Sequence, residues 1–332
     1  MKISGILGLL CAGSVAVTFT VAAQSTPPPA PIAKPVAQAK PVAQAKPVAQ
    51  AKPQKTFETP QAAADALIAA AASFDVPALE SMFGAGGRDL VVTGDPVQDK
   101  NRAEEFATRA RERKTVTVDP ANPNRAILSV GTNDWPLPVP MVRRGGTWVF
   151  DAAAGREEIL NRRIGGNELD AIETCRGYVE AQHEFALTKR DVSGVNQYAQ
   201  RLISTPGRQD GLAWQNADGS WAGPIGEAVA RAIDQGYSPL PEPYNGYYFK
   251  VLTGQGPAAP LGEMDFVIKG VMIGGFALIA APAEYAVTGI QTFIVSHDGV
   301  VYQKDLGPDT LNIAKTIQRF NPDNTWTPVS GG

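Results

Sequence analysis

The chain has 332 residues, of which 44% are hydrophobic and 19% are charged, a composition typical of globular proteins. Its net charge of −3 at neutral pH differs from the basic footprint that nucleic-acid-binding domains usually carry, so we expect no nucleic-acid partner. The length leaves room for two domains of ordinary size after an N-terminal extension.

Residues 1–23 have the features of a secretory signal peptide. Lys2 provides a positive start, residues 6–22 carry no charge, and Val21-Ala22-Ala23 places small residues where a signal peptidase cleaves. A retained membrane anchor is the alternative, but glycine, serine and threonine dilute the apolar run. We therefore predict a Sec-type signal cleaved after Ala23, a periplasmic or secreted location, and no membrane span in the mature chain.

Residues 24–55 are predicted to form a disordered linker. The unit Ala-Lys-Pro-Val-Ala-Gln repeats with a period of six from Ala33 to Pro53. Proline at this spacing blocks helices and sheet ladders, and few apolar side chains are available for a core. We expect an extended spacer, although its lysines could also rest on an anionic surface or on peptidoglycan.

A first folded domain is predicted over residues 56–154. Thr59 and Pro60 mark the start of its first helix. Further elements are expected in the order helix 77–83, strand 90–92, helix 98–113, and strands 115–118, 125–130, 138–143 and 147–151. Gly145-Gly146 is typical of a tight hairpin between the last two strands.

A second domain is predicted over residues 155–329. Its long helical stretch, 155–187, is expected to break at Gly165-Gly166, with Asn167 capping the second half. A short helix at 195–202 and a loop at 206–221 are expected next. The remaining predicted elements are helix 224–235, strands 247–253, 266–269, 275–281, 292–296 and 300–304, and helix 310–319.

The predicted element orders resemble two known folds, and they predict an α+β fold class. Helices followed by a curled antiparallel sheet, over about 57–154, resemble the cystatin-like cone of nuclear-transport-factor-2-like (NTF2-like) proteins. Catalytic members of that class use a His or Asp inside the cone. No histidine lies in this segment, so the resemblance implies an interaction module here.

The second domain combines Asn167-Glu168-Leu169, Gly246-Tyr247-Tyr248-Phe249, the apolar strand 275–281 and a final hairpin around Asp298-Gly299. This combination is similar to the globular half of type IV pilins and pseudopilins. It implies one helix packed on an antiparallel sheet. The fibre-forming N-terminal helix of a pilin is replaced here, so the resemblance implies a pilin-like head rather than a fibre subunit.

Three longer strings of the sequence are distinctive: Asp151-Ala-Ala-Ala-Gly-Arg-Glu-Glu-Ile-Leu-Asn-Arg-Arg-Ile-Gly-Gly-Asn-Glu-Leu, Ile203-Ser-Thr-Pro-Gly-Arg-Gln-Asp-Gly-Leu and Val300-Val-Tyr-Gln-Lys-Asp-Leu-Gly-Pro-Asp-Thr. They resemble the DUF2950 family of exported bacterial proteins of uncharacterised function. The similarity extends over nearly all of 57–329. The family name implies no mechanism.

The polar segment 201–210 is the best candidate for a binding loop, because it combines glycine and mixed charge close to an aromatic residue. The candidate binding surface consists of Trp135, Arg208, Asp210, Trp214, Tyr244 and Tyr247. These aromatics could line a groove for a glycan or an extended peptide. The alternative is that Tyr248 belongs to the core and Tyr247 covers the sheet.

Catalytic, metal and cofactor sites are not predicted. The only histidines, His183 and His297, fit a helix surface and a hairpin turn, and no Cys/His group has zinc spacing. No nucleotide-binding or hydrolase motif is present. Cys175, the one cysteine left after signal cleavage, lies on an apolar helix pattern and is predicted to be a core residue.

Two hypotheses for the function follow. The first is a non-enzymatic envelope protein that binds an envelope protein or a cell-wall polymer such as peptidoglycan. The second is a small periplasmic hydrolase or ligand-binding enzyme, with Asp210, Glu242 or Asp298 acting as carboxylates near the Tyr244–Tyr248 segment.

Overall fold

A computed structural model describes residues 53–84, 86–92, 96–190, 194–234 and 243–330. The predicted signal peptide, 1–23, and most of the predicted linker, 24–55, lie outside these residues. The chain divides into two compact units after Arg156. Each contains helices and mostly antiparallel sheets, which confirms the predicted α+β class.

The described part of the N-terminal unit has three α-helices ahead of one sheet. The helices are α1 (Pro60–Ala72), α2 (Val76–Phe83) and α3 (Pro96–Glu112). The strands are β1 (Lys114–Asp119), β2 (Asn122–Val130), β3 (Trp135–Pro136), β4 (Met141–Arg144) and β5 (Thr147–Phe150). The antiparallel sheet has the order β1-β2-β4-β5, and β3 pairs with β2.

Local signals determine where the helices of this unit begin. The Thr59 hydroxyl accepts a hydrogen bond from the Ala62 amide, as expected for an N-cap before a proline. The Asp75 carboxylate caps α2 in the same way. Alternate side chains of β2, such as Leu128, then complete a core with Leu67, Met82, Met141 and Phe150.

One strand prediction in this unit is wrong, and another starts too early. The expected strand at 90–92 is a 3₁₀ turn over Arg88–Leu90, because the Leu90 and Val92 amides bond to carbonyls three and four positions earlier. The expected strand at 138–143 begins only at Met141, and Pro138 and Pro140 precede it without amides to donate.

The C-terminal unit is built on α4 (Ala152–Ala186), whose first turns precede the division between units. Its other helices are α5 (Gly226–Asp234) and α6 (Thr310–Thr316). The first strands are β6 (Arg201–Ile203), β7 (Gly211–Gln215), β8 (Trp221–Ala222), β9 (Tyr247–Leu252), β10 (Gly254–Gln255), β11 (Met264–Asp265) and β12 (Val267–Ile268). The others are β13 (Val271–Met272), β14 (Ala277–Pro282), β15 (Gln291–Ser296), β16 (Val301–Asp305), β17 (Arg319–Phe320) and β18 (Thr327–Pro328).

The main sheet of this unit is antiparallel, with the strand order β18-β16-β15-β14-β9. All six residues of β14 are buried, as expected for a strand with both faces covered. The Tyr178 hydroxyl of α4 donates to the Ala277 carbonyl of β14, and α6 also packs against β14. Among the described helices, none combines the length and apolar character needed to cross a membrane.

The predicted break in the long helix is wrong. Helix α4 continues through Gly165-Gly166, where a methyl group on either glycine would meet open space. Asn167 does not cap a helix, because its side-chain amide donates to the Thr288 carbonyl at 2.8 Å. The side chain of Asn167 therefore has a tertiary role, whereas the sequence predicted a local role as a helix cap.

The predicted helix at 195–202 is also wrong. The side chain of Gln182 hydrogen-bonds both the amide and the carbonyl of Ala199, at 2.8 Å each. The Tyr198 amide donates to the Met272 carbonyl. These long-range bonds satisfy the backbone that a helix would have used internally. Strand β7 likewise lies within the predicted loop 206–221, and β8 begins at its last residue.

Candidate functional site

The predicted binding loop connects two parallel strands, β6 and β7, and its neck is tied by side chains. The Asp210 carboxylate accepts hydrogen bonds from the Thr205 amide at 2.7 Å and the Thr205 hydroxyl at 2.8 Å. The Ser204 hydroxyl accepts one from the Gly211 amide at 2.9 Å. Arg201 lies 3.7 Å from the same carboxylate. The two ends of the loop are therefore joined by hydrogen bonds between residues five to seven positions apart.

Arg208 lies at the exposed tip of this loop. Its amide donates to the Thr205 carbonyl at 2.9 Å, and Gly207 before it has a φ of +78°, which favours glycine. Its guanidinium makes no hydrogen bond or ion pair with the residues that the structure describes. The loop thus presents a free cation on a tied backbone.

Trp214 lies on β7, and a guanidinium group stacks over its ring. The Arg190 guanidinium carbon is 4.9 Å from the Trp214 ring centroid, and it is equally far from the Phe185 ring. A stacked cation of this kind is worth roughly 0.5–1 kcal/mol at an exposed site. Trp214 is half-buried against the core, so only part of its ring faces solvent.

The tyrosines do not form the predicted aromatic groove. Tyr247 is completely buried, and its hydroxyl donates to the Gln291 carbonyl at 2.9 Å. Burial raises its pKa far above the ordinary value. Tyr248, the alternative core residue, is 38% exposed, so these two assignments are reversed. Tyr244 is half-buried and pairs through its backbone with Tyr247.

Trp135, the remaining member of the predicted surface, belongs to the N-terminal unit. It is half-buried on β3, where it pairs with Val130. The other five residues of the predicted surface, from Arg208 to Tyr247, belong to the C-terminal unit.

Two of the three carboxylates proposed for hydrolysis have structural bonds instead. Asp210 ties the loop neck, and Asp298 accepts hydrogen bonds from the Ser296 hydroxyl and the Val300 amide in its hairpin turn. Glu242 lies outside the described residues. No feature among the described residues favours the hydrolase alternative.

The two histidines pack against one aromatic ring. His183 and His297 lie 5.4 and 6.2 Å from the Phe276 ring centroid. No group of three or more His, Cys, Asp or Glu residues suited to a metal ion occurs in the described part of the chain. Cys175 is completely buried, which confirms its predicted place in the core.

One concave site was not predicted from the sequence. It is a cleft between residues 282–285 and 308–315, and Tyr285 is one of its walls. No local pattern in the sequence indicates this site, because its two walls come from separate segments of the chain.

Comparison with known proteins gives a family without an assigned activity. Residues 54–329 match the family model described as "Protein of unknown function (DUF2950)". No curated protein shows significant similarity to the chain, and no solved structure does either. The resemblances to nuclear-transport-factor-2-like cones and pilin heads therefore stay predictions.

Proposed function

Because the chain belongs to the DUF2950 family of proteins of unknown function, we propose its role from its own geometry. The proposal is an exported, non-enzymatic binding protein of the cell envelope, which docks a carboxylate-bearing envelope protein or cell-wall polymer through the loop 204–210. Export is supported by the signal-like residues 1–23 and the repetitive linker, which would separate the folded units from the N-terminus.

The observation that carries the proposal is the free Arg208 guanidinium on a tied loop. A fixed backbone lowers the entropy lost on binding, and a guanidinium matches a carboxylate with two parallel hydrogen bonds. Peptidoglycan is a candidate partner of this chemistry, because its stem peptides carry carboxylates.

The binding test is co-sedimentation of the purified protein with peptidoglycan sacculi. We expect Arg208→Ala to weaken binding at least about tenfold, since each charge-assisted hydrogen bond is worth roughly 1.5–3 kcal/mol. Arg231→Ala is the matched control, because Arg231 is exposed on α5 and already paired with Glu227. An equal loss of sedimentation in both variants would contradict the role. If the protein does not sediment with sacculi, crosslinking in the cell envelope tests for a protein partner. Failure of both experiments would also contradict the role.

The location is tested separately. Cell fractionation and N-terminal sequencing should recover an extracytoplasmic chain that starts at Gln24. A cytoplasmic chain that keeps residues 1–23 would contradict export.

A further inference from the structure

The unpredicted cleft of the C-terminal unit lies between the turn at 282–285 and the segment 308–315, which includes α6. Its volume is about 320 Å³, at the lower end of the range for ligand pockets, and it is open to solvent along one side. Apolar and polar side chains both line it. The main ones are Pro282, Glu284, Tyr285, Leu311, Asn312 and Lys315.

Tyr285 provides an aromatic wall with a fixed orientation. Its hydroxyl donates to an Asp305 carboxylate oxygen at 3.2 Å, and its backbone bridges to Gly289. The ring is therefore held at its tip and at its base. A half-buried ring held in this way can offer one face to a ligand without losing rotamer entropy on binding.

The turn that carries Tyr285 is held by α4. The Thr288 hydroxyl accepts a hydrogen bond from the Glu284 amide at 3.0 Å, and the Thr288 carbonyl accepts one from the Asn167 side chain at 2.8 Å. One carboxylate oxygen of Glu168 accepts two more, from the Ile290 and Gln291 amides, at 2.9 Å each. These bonds fix the position of the turn that carries Tyr285.

The opposite wall is held by a lysine from the main sheet. Lys250 of β9 donates from its ammonium to the carbonyls of Ala314, Lys315 and Ile317, at 2.6 to 3.0 Å. These carbonyls end α6, where a cation is favourable. Both walls of the cleft are thus built before any ligand arrives.

The charges around the cleft select the class of ligand. Glu284 and Asp309 contribute carboxylates, and Lys315 contributes the one ammonium among the lining residues. Neither Glu284 nor Lys315 makes a side-chain hydrogen bond or ion pair with the described residues. Two carboxylates against one ammonium disfavour a phosphate or another polyanion. The polar rim disfavours a lipid chain, because its groups would be buried without partners.

We propose that this cleft binds a neutral saccharide chain. One pyranose ring stacks its C–H face on Tyr285, and its hydroxyls hydrogen-bond to the Glu284 carboxylate and the Lys315 ammonium. The proposal goes beyond the envelope role given above and does not rest on Arg208, because a neutral saccharide has no carboxylate for that residue to bind.

The test uses the purified full chain with two neutral probes, the β-1,4-linked tetrasaccharides of glucose and of N-acetylglucosamine. Binding is followed by saturation-transfer NMR, and affinity by titration calorimetry. We expect at least one probe to bind with a Kd of about 1 mM, as for a single open site. Tyr285→Ala should weaken it at least about tenfold.

Three control variants keep the test specific. Tyr285→Phe retains the ring and should stay within about threefold of the original affinity. Tyr248→Ala removes an exposed tyrosine of β9 and should behave like the original chain. Arg208→Ala should leave the affinity unchanged, which separates this proposal from the loop's role. Unfolding midpoints of all variants confirm that they fold.

Three outcomes overturn the proposal. The first is the absence of binding by both probes at about 10 mM. The second is binding of a pentalysine peptide that Glu284→Gln abolishes, with no saccharide binding, because the cleft would then belong to a cationic peptide. The third is a loss of affinity in Tyr285→Ala that Tyr248→Ala reproduces.

Discussion

The loop 204–210 and the segment 282–291 belong to the same unit but are held in different ways. The segment 282–291 contains the turn that carries Tyr285 and is called the turn below. The loop is tied by bonds that span five to seven positions of sequence. The turn is tied to α4 by bonds that span 121 to 123 positions. The loop can therefore keep its shape when distant parts of the fold loosen, whereas the turn is part of the tertiary structure.

This difference predicts that the largest loss of stability follows from Glu168→Ala. The substitution leaves the Ile290 and Gln291 amides without their acceptor in a partly buried site. We expect the free energy of unfolding to fall by about 3 kcal/mol. Urea denaturation measures the change. Glu173→Ala, at an exposed position of the same helix, should stay within about 0.5 kcal/mol; equal effects would break the comparison.

Lys250→Met should have the next largest effect, because it removes three hydrogen bonds from the end of α6 while keeping most of the apolar stem. We expect a loss of about 2 kcal/mol in thermal or urea unfolding. The matched control is Lys189→Met, since Lys189 is exposed after α4. If both variants unfold at the same denaturant concentration, the bonds to α6 do not stabilise the fold.

Asp210→Ala should cost less than either, about 1 kcal/mol, because its two bonds are local and solvent-exposed. Its stronger effect should be local. Hydrogen exchange at the Thr205 amide should speed up, while amides of β14 and β15 keep their protection. Gln209→Ala is the control at the loop tip. Loss of protection across the main sheet would mean that the loop is coupled to the core.

The ion pair between Asp89 and Arg156 should have the smallest effect, although 67 positions separate its members. Hydrogen bonding to Arg156 lowers the pKa of Asp89 below 3.8. Its stabilisation is therefore complete above that pH and is lost as the pH falls through the lower, folded-state pKa. Because the pair is exposed, we expect less than about 0.5 kcal/mol.

The measurement for this pair is urea unfolding of the original chain and Asp89→Asn at pH 6 and pH 3. The original chain should lose slightly more stability on acidification than the variant does. A difference larger than about 2 kcal/mol would show that sequence separation, rather than burial, sets the strength of such contacts.

The same contrast explains which elements could be predicted from the sequence. The start of α1 at Thr59 and Pro60 depends on a hydrogen bond that spans three positions. The hairpin at Gly145-Gly146 depends only on its own turn. The apolar run 275–281 predicted a strand of the sheet, and β14 overlaps it. All of these signals are local, and the structure confirms them.

The errors fall where a distant side chain takes over a local role. Gln182 satisfies the backbone at Ala199, so no helix forms at 195–202. Asn167 bonds to Thr288 instead of capping a helix, and α4 tolerates Gly165 and Gly166 at a cost of about 1 kcal/mol each. No local pattern encodes these partners.

The candidate sites divide in the same way. The loop around Arg208 was predicted because its glycine and polar residues are contiguous in sequence. The assignment of Tyr247 to a surface failed because its hydroxyl meets the Gln291 carbonyl, 44 positions away. The cleft beside Tyr285 stayed hidden because its two walls meet only in the folded chain.

Cys175 has a consequence for how such a chain could mature in an oxidising compartment. Burial raises the pKa of its thiol to about 12. The buried sulfur of the folded chain is therefore almost entirely the unreactive thiol, and no solvent reaches it. We expect oxidants and disulfide-exchange enzymes to modify it before the chain has folded. The order of folding and oxidation, rather than the final structure, would decide whether an exported copy becomes cross-linked.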